Sequence, residues 1–383
     1  MDLASLTTPC ALVDRARVER NTSRMSERMR ALGVRMRPHV KTHKCVEAAR
    51  LQVRGHFGGI TVSTLAEAAF FAAAGFRDIT YAFPLAIPAI ARAAAVARAV
   101  EHLHVLVDQD VVVTALEAYA AEHAAAAANP HAARFSVFLK LDCGYHRAGV
   151  DPASPDAVRL AERLARSPAI DFRGVLAHAG HSYDCRDADA IRTVARSERD
   201  VTVAFAERLR RRGIAAPEVS IGSTPTMSLA TDLAGVTEVR PGNYVFYDAF
   251  QAAIGSCTLE DAAFSVLTTI VGQYPEQNKL IVDAGALALS KDPGATHVDP
   301  DCGFGVVFTA DGSRQLQELH VASLSQEHGQ VHGSRPLRFG DYPVGSRLRI
   351  VPNHSCLAAA LYDRYHVVDA GRVIQEWRPT HGW

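Results

Sequence analysis

Val34-Arg35-Met36-Arg37-Pro38-His39-Val40-Lys41-Thr42-His43-Lys44-Cys45 joins two patterns. Residues 34–40 alternate apolar and polar, the period of a strand. An alanine-rich segment that reads as a helix follows. Lys41 therefore sits at the mouth of a strand-to-helix turn, where α/β proteins place their chemistry. The chain has 41 Lys+Arg, but only five are lysines: Lys41, Lys44, Lys140, Lys279 and Lys291. Two of them fall in this one turn. An amine can lose its proton and attack a carbonyl, and a guanidinium cannot. A basic loop in which lysine is incidental accounts for the same residues.

Outward from this turn, strand and helix alternate. Strands are expected at 34–40, 59–62, 79–82, 103–107, 136–141, 172–178, 218–221 and 238–241, with helical patterns between them. One helix is well punctuated: Thr64 and Glu67 form a capping box, and Gly75 stops it. About eight such units over some 240 residues is the sequence form of a (β/α)8 TIM-type barrel. A doubly wound sheet would announce a glycine-rich turn after its first strand, and none is present. After Tyr244 the pattern changes to short β-branched runs separated by Gly, Pro and Asp, at 264–271, 279–282, 305–309, 316–322, 347–351 and 365–368. This reads as an antiparallel β domain. The expected division is a barrel over 14–245 and a β domain made of 1–13 and 246–383. The run at 124–128 is a plain helix-favouring alanine tract.

With 383 residues and 48% hydrophobic content, the chain can bury a large core and a smaller one. Its formal net charge of zero favours neither nucleic acid nor an anionic membrane as partner. The apolar stretches are broken by charge, so no membrane span is expected. Residues 1–9 lack a basic region followed by an apolar run. Seven cysteines are scattered without a Cys-x-x-Cys, which suits free thiols in a reducing compartment. The expectation is a cytoplasmic protein.

Barrel chemistry gathers at the carboxyl ends of the strands. In order, those ends carry Lys41; Ser63; Asp142 and Arg147; His178, His181 and Tyr183; Ser223 and Thr224; and Gly242 and Asn243. The last two loops are where this fold cradles phosphate, through glycine backbone, hydroxyls and amide N–H groups. Glycines that only form turns explain them equally well. A phosphate cradle opposite Lys41 points to pyridoxal 5'-phosphate held as a Schiff base. Arg147 either faces the cofactor or pairs with Asp142 to close a loop. His178 is either a core histidine or part of the site, with His181 and Tyr183 nearby. Far along the chain, Val351-Pro352-Asn353-His354-Ser355-Cys356 places imidazole and thiol two residues apart. If extended, both side chains point the same way and could share one ion, and the donor set suits Zn2+. A buried pair without metal fits the spacing as well.

Taken together, the chain resembles the D-serine dehydratase family of fold-type III, alanine-racemase-like pyridoxal-phosphate enzymes, grouped with D-threonine aldolase and D-threo-3-hydroxyaspartate dehydratase. The resemblance rests on RPHVKTHK (37–44), GITVSTLAEA (59–68), LDCGYHRAGV (141–150), HAGHSYDC (178–185), SIGSTPT (220–226), RPGNYVFYD (240–248), QEHG (326–329), PNHSC (352–356) and the closing HGW. It implies Lys41 as the Schiff-base lysine and His354 and Cys356 as zinc ligands. It puts Tyr183 near the pyridine nitrogen, Arg147 beside the ring, and Ser223, Thr224, Gly242 and Asn243 near the phosphate. It also implies a homodimer. The aldolase branch tends to carry aspartate where Cys356 stands, and a thiolate favours zinc over harder ions.

The expected activity is therefore a lyase reaction: dehydration of a D-3-hydroxyamino acid, foremost D-serine, to a 2-oxo acid and ammonia. D-threo-3-hydroxyaspartate dehydration and retro-aldol cleavage to glycine and an aldehyde are the alternatives. A racemase would need a second base and no metal. A non-enzymatic cofactor carrier would lack the long β domain.

Overall fold

The computed structural model of the protein describes residues 2–123 and 134–383. The alanine run at 124–128 lies outside the described residues. Strand β1 (Cys10–Asp14) leads into a helix, Arg15–Ala31. The Asp14 side chain caps it by accepting from the Arg17 N–H. Eight parallel strands follow: β2 (Arg35–Met36), β3 (Ile60–Val62), β4 (Asp78–Pro84), β5 (His102–Val107), β6 (Phe135–Lys140), β7 (Ile170–Leu176), β8 (Glu218–Ile221) and β9 (Glu238–Val239). Their spatial order is β2-β9-β8-β7-β6-β5-β4-β3. A bridge between His39 and Thr61 brings the two ends together, with the Thr61 N–H donating to Pro38 O at 2.9 Å. This is the (β/α)8 architecture that the alternation predicts.

The first barrel strand is shorter than the 34–40 expected from sequence. Pro38 has no N–H to give a ladder, and the chain coils into a 3-10 turn at Val40–Thr42. Period-two alternation sends one set of side chains outward, where Met36, Ile60, Val62, Val105, Val137, Leu139, Val219 and Val239 pack against the helices. The other set fills the barrel. Leu106, Phe138 and Leu176 form a small apolar plug there. Beside it runs a charged network. Arg37 Nε donates to Glu238 Oε2 at 2.8 Å, and its two terminal nitrogens donate to Asp78. His104 Nε2 lies 3.2 Å from Asp78 Oδ1. Ser220 Oγ donates to Glu238 Oε1 at 2.7 Å and accepts from Arg240.

The second sheet contains β10 (Phe264–Tyr274), β11 (Lys279–Val282), β12 (Val306–Thr309), β13 (Gln315–Leu324), β14 (Gly329–Gly333), β15 (Arg347–Val351), β16 (Tyr365–Asp369) and β17 (Arg372–Trp377), with β1 inserted between β10 and β16. Pairing is antiparallel throughout except for β1 with β16. A β10–β11 pairing closes six of the strands into a ring. Two strands escape the sequence reading. β14 is bounded by glycines, and β17 is an edge strand carrying Gln375 and Glu376. Phe246, from the loop after β9, packs on Phe264 and Tyr365 with ring centroids 5.6 and 6.0 Å away. The Tyr365 hydroxyl donates to His43 O at 3.1 Å, and the Thr380 N–H donates to Lys44 O at 2.8 Å. The β sheet thus grips the lysine turn.

Candidate active site

The two lysines of the turn diverge. Lys44 Nζ lies 3.1 Å from Oε1 of the buried Glu67. Glu67 Oε2 accepts from the Ser63 N–H at 2.7 Å, and the Glu67 N–H donates to Thr64 Oγ1 at 3.1 Å. The capping box expected at Thr64 and Glu67 is thus half made, because the carboxylate turns to Ser63 and Lys44. Lys41 has no carboxylate partner among the described residues and lines a cavity of about 340 Å³. Arg147, His178 and Tyr183 line the same cavity. So do Ser223, Thr224, Gly242 and Asn243. No described residue lining it is acidic.

Asp142 does not pair with Arg147. Its Oδ2 lies 2.8 Å from His146 Nδ1, and its Oδ1 accepts from the Gly144 and His146 N–H groups. Arg147 instead lies over the Tyr145 ring, 5.0 Å from the centroid. The strand expected at 172–178 ends at Leu176, so His178 stands two residues beyond it. Desolvation, and then the positive charges of Lys41, Arg147, Lys140 and Arg240, hold His178 well below the usual imidazole range. His39 is depressed as well, by desolvation first and then by Lys41 and Arg240. Both imidazoles are neutral at pH 7. Tyr183 is pushed well above the usual phenol range by burial and then by Cys356 and Asp248, so it keeps its proton and can donate.

The loops after β8 and β9 meet. Thr224 Oγ1 accepts from the N–H groups of Gly242 (3.2 Å) and Tyr244 (3.1 Å), which leaves its own proton for a ligand. Gly222 sits at φ +107, a conformation that favours glycine. At Gly242 an added Cβ would fall 2.8 Å from both Cβ and O of His39, so only glycine lets this loop approach the lysine turn. Asn243 Nδ2 donates to Asp248 Oδ2 (2.8 Å) and Ser355 Oγ (2.9 Å), while its Oδ1 is buried without a partner.

The extended geometry expected for 354–356 is not what forms. His354 is extended, but Cys356 lies in the first turn of a short helix, Ser355–Ala359. Imidazole and thiol still lie close enough to interact electrostatically. His354 Nδ1 is 3.1 Å from Asp292 Oδ2. Cys356 Sγ is 3.1 Å from Thr42 Oγ1 and 3.5 Å from Asn243 Nδ2. Burial opposes ionisation of the thiol, but His354, then Lys41 and Asn243, bring it down to about 7. The pair stands behind Thr42 and Asn243, next to the cavity rather than among the residues lining it. Among the described residues no group of three or more His, Cys, Asp or Glu side chains could hold a metal. Any ion here would complete its coordination with water or substrate.

Residues 13–249 match the family described as alanine racemase, N-terminal domain, and residues 263–368 match the putative serine dehydratase domain. The chain is 39% identical to a D-serine dehydratase of Dictyostelium discoideum, covering 100% of this chain and 98% of that one. The chain belongs to the D-serine dehydratase family. It is equally similar to a D-threo-3-hydroxyaspartate dehydratase of Delftia sp. (strain HT23), 39% identical over 100% of this chain and 99% of that one. A solved structure of the Delftia enzyme superposes with a TM-score of 0.91 over 100% of both chains. An alanine racemase of Clostridium difficile, 14% identical, shares the fold with a TM-score of 0.67 over 97% of this chain and 99% of that one. These two relatives are named dehydratases of D-amino acids, and dehydratases are lyases.

Three further titratable side chains line the cavity to which the sequence reading assigned no role: His39, Lys140 and Arg240. Lys140 is buried, donates to Leu141 O at 2.8 Å, and is lowered by desolvation to about 8. Arg240 donates to Ala177 O at 2.5 Å and is lowered by burial to about 10. Alternation could have found them. Arg37 and His39, Phe138 and Lys140, and Glu238 and Arg240 are successive inward positions on their strands or just past them.

Proposed function

We propose that the protein is a pyridoxal-phosphate- and zinc-dependent dehydratase of D-3-hydroxyamino acids, with D-serine as first substrate. One observation carries this reading. Lys41 faces the Ser223–Thr224 and Gly242–Asn243 loops across one cavity, while its neighbour Thr42 touches Cys356. The residues fit the cofactor. The free proton of Thr224, the unpartnered Asn243 Oδ1 and the cations Lys140, Arg147 and Arg240 suit an anionic, polar guest. They fit zinc as well, since with Nδ1 on Asp292, His354 keeps Nε2 for a metal, and the Cys356 thiol interacts with the same imidazole. One solved structure of a D-threo-3-hydroxyaspartate dehydratase is that of a cysteine-to-alanine variant in the metal-free form.

Pyridoxal phosphate, when bound, supplies an electron sink for charge left on the substrate α-carbon. Zinc on His354 and Cys356 would supply a Lewis acid for the departing hydroxyl. Lys41 Nζ would hold the cofactor, and as a free amine it is the base that would take the substrate α-proton. Tyr183, which keeps its proton, would serve as a donor for the ring nitrogen, and Arg147, on the same cavity wall, would stand beside the ring. Neutral His39 and His178 add no positive charge around the amine. Loss of water from D-serine leaves an enamine. Its tautomer takes up water and gives pyruvate and ammonia.

D-threo-3-hydroxyaspartate is the second reading. Arg147 has no carboxylate partner among the described residues, so it is available to an extra substrate carboxylate. The test is turnover of D-serine, D-threo-3-hydroxyaspartate and D-threonine with and without zinc. Pyruvate or oxaloacetate plus ammonia supports dehydration. Glycine plus an aldehyde would replace it with retro-aldol cleavage.

The same reading assigns 14–245 to the cofactor barrel, and 1–13 with 246–383 to a β domain carrying the metal pair. It takes the molecule as a homodimer, with Phe83 at the cavity mouth and Leu287, Leu357 and Leu361 beside the metal pair as exposed apolar side chains to be covered. Sedimentation velocity tests this. Seven unpaired cysteines support a cytoplasmic setting. Among the described residues no helix is long and apolar enough to cross a membrane.

A further inference from the structure

Two residues outside the metal pair hold its atoms, and they come from opposite halves of the molecule. Asp292 belongs to the loop between β11 and β12. Its Oδ1 accepts from the Gly294 N–H at 2.9 Å, which fixes the carboxylate, and its Oδ2 faces His354 Nδ1 at 3.1 Å. A carboxylate on one ring nitrogen selects the tautomer that leaves the other free for a metal, and orients the ring. Thr42 belongs to the turn after β2, one residue from Lys41. It is buried, and its hydroxyl has one hydrogen-bond partner among the described residues, Cys356 Sγ at 3.1 Å. A metal-bound thiolate carries no proton, so the hydroxyl must be the donor. Asn243 is the weaker donor to the same sulfur. Its amide lies closer to Asp248 and Ser355 than to Sγ at 3.5 Å.

We propose that Asp292 and Thr42 are the positioning residues of the metal pair, Asp292 setting the imidazole and Thr42 the thiolate. The inference rests on the metal reading above. Its consequence is that zinc affinity depends on a side chain adjacent to the cofactor lysine. The ion and the Lys41 turn are then coupled through a single hydroxyl. Removing hydrogen-bond partners of metal ligands costs roughly 10- to 100-fold in affinity, so that range is expected here.

The test is zinc affinity of the holoenzyme, read by competition with a chromogenic chelator and independent of turnover. Thr42→Val removes the hydroxyl at nearly constant volume, and Thr42→Ser restores it. Asp292→Ala removes the carboxylate, and Asp292→Asn keeps an acceptor. Thr42→Val and Asp292→Ala should bind zinc about 10-fold or more weakly. Thr42→Ser should stay close to the unsubstituted protein, and Asp292→Asn should fall between. Unchanged cofactor absorbance in the Thr42 variants separates this role from collapse of the turn. Wild-type affinity in Thr42→Val and Asp292→Ala, or equal loss in Thr42→Ser and Thr42→Val, would overturn the proposal. If the unsubstituted protein bound no zinc, the metal reading itself would fail.

Discussion

Lys44 Nζ and Glu67 Oε1 lie 3.1 Å apart, and Glu67 is sealed from solvent at 1% side-chain exposure. This pair turns one lysine of the 41–44 turn into structure and leaves the other facing the cavity. Lys44→Met should therefore destabilise the fold, because the Glu67 charge is left buried. Lys44 retains 20% side-chain exposure, so the cost is about 2 kcal/mol, below that of a fully buried pair. Lys41→Ala should leave the melting temperature close to wild type while abolishing turnover and the lysine-linked cofactor absorbance. Thermal denaturation and an absorbance spectrum of both variants check the contrast. An active Lys41→Ala protein would remove that lysine from the chemistry.

The barrel interior carries a second consequence. Burial pushes Asp78 and Glu238 upward. Hydrogen bonds from His104 and Arg37 to Asp78, and the Arg37 charge on Glu238, hold both below the usual carboxylate range. The stability they contribute is present above the pKa values of the unfolded chain and is lost as pH falls through the folded values. Arg37→Met should cost about 3–5 kcal/mol at neutral pH, since it strands two carboxylates. It should also flatten the acid limb of the stability profile. Urea denaturation at neutral and acid pH measures both effects.

Lys140 behaves in the opposite sense. Desolvation lowers it from 10.5 to about 8, so between those values the unfolded chain binds a proton that the folded chain does not. Its penalty is full below about 8 and is relieved as pH rises towards 10.5. Lys140→Met should stabilise the protein by about 3 kcal/mol at neutral pH, with the gain shrinking in alkaline solution. Activity should fall, because a cation leaves the cavity floor. A stability difference that does not change with pH would contradict the buried-amine account.

On the proposed assignment, chelation of the metal should stop elimination while the cofactor absorbance persists, because Lys41 and the Ser223–Thr224 and Gly242–Asn243 loops follow strands of the barrel, whereas His354 and Cys356 follow β15 of the second sheet. Re-adding zinc should restore turnover, and Cys356→Ala should not be rescued. Full activity in a zinc-free, chelator-treated sample would take the ion out of the reaction.

The local pattern of the chain was enough to specify the eight strand-and-helix units, the switch to β-branched runs after Tyr244, and the strand ends where Lys41, Arg147, His178, Tyr183, Ser223, Thr224, Gly242 and Asn243 stand. Periodicity and turn chemistry act over a few residues, so they are legible without the fold. Which of the two lysines of the 41–44 turn faces the cavity, that Asp142 takes His146 and not Arg147, and that Thr42 meets Cys356 were decided only by the folded structure. Lys44 with Glu67 and Thr42 with Cys356 join segments far apart in sequence, and burial sets their strength, whereas Asp142 and His146 stand four residues apart in a loop whose conformation alternation does not specify. The inward row of His39, Lys140 and Arg240 lies between these cases. Its alternation was written in the chain, but its charge and its place on the cavity wall required the closed barrel.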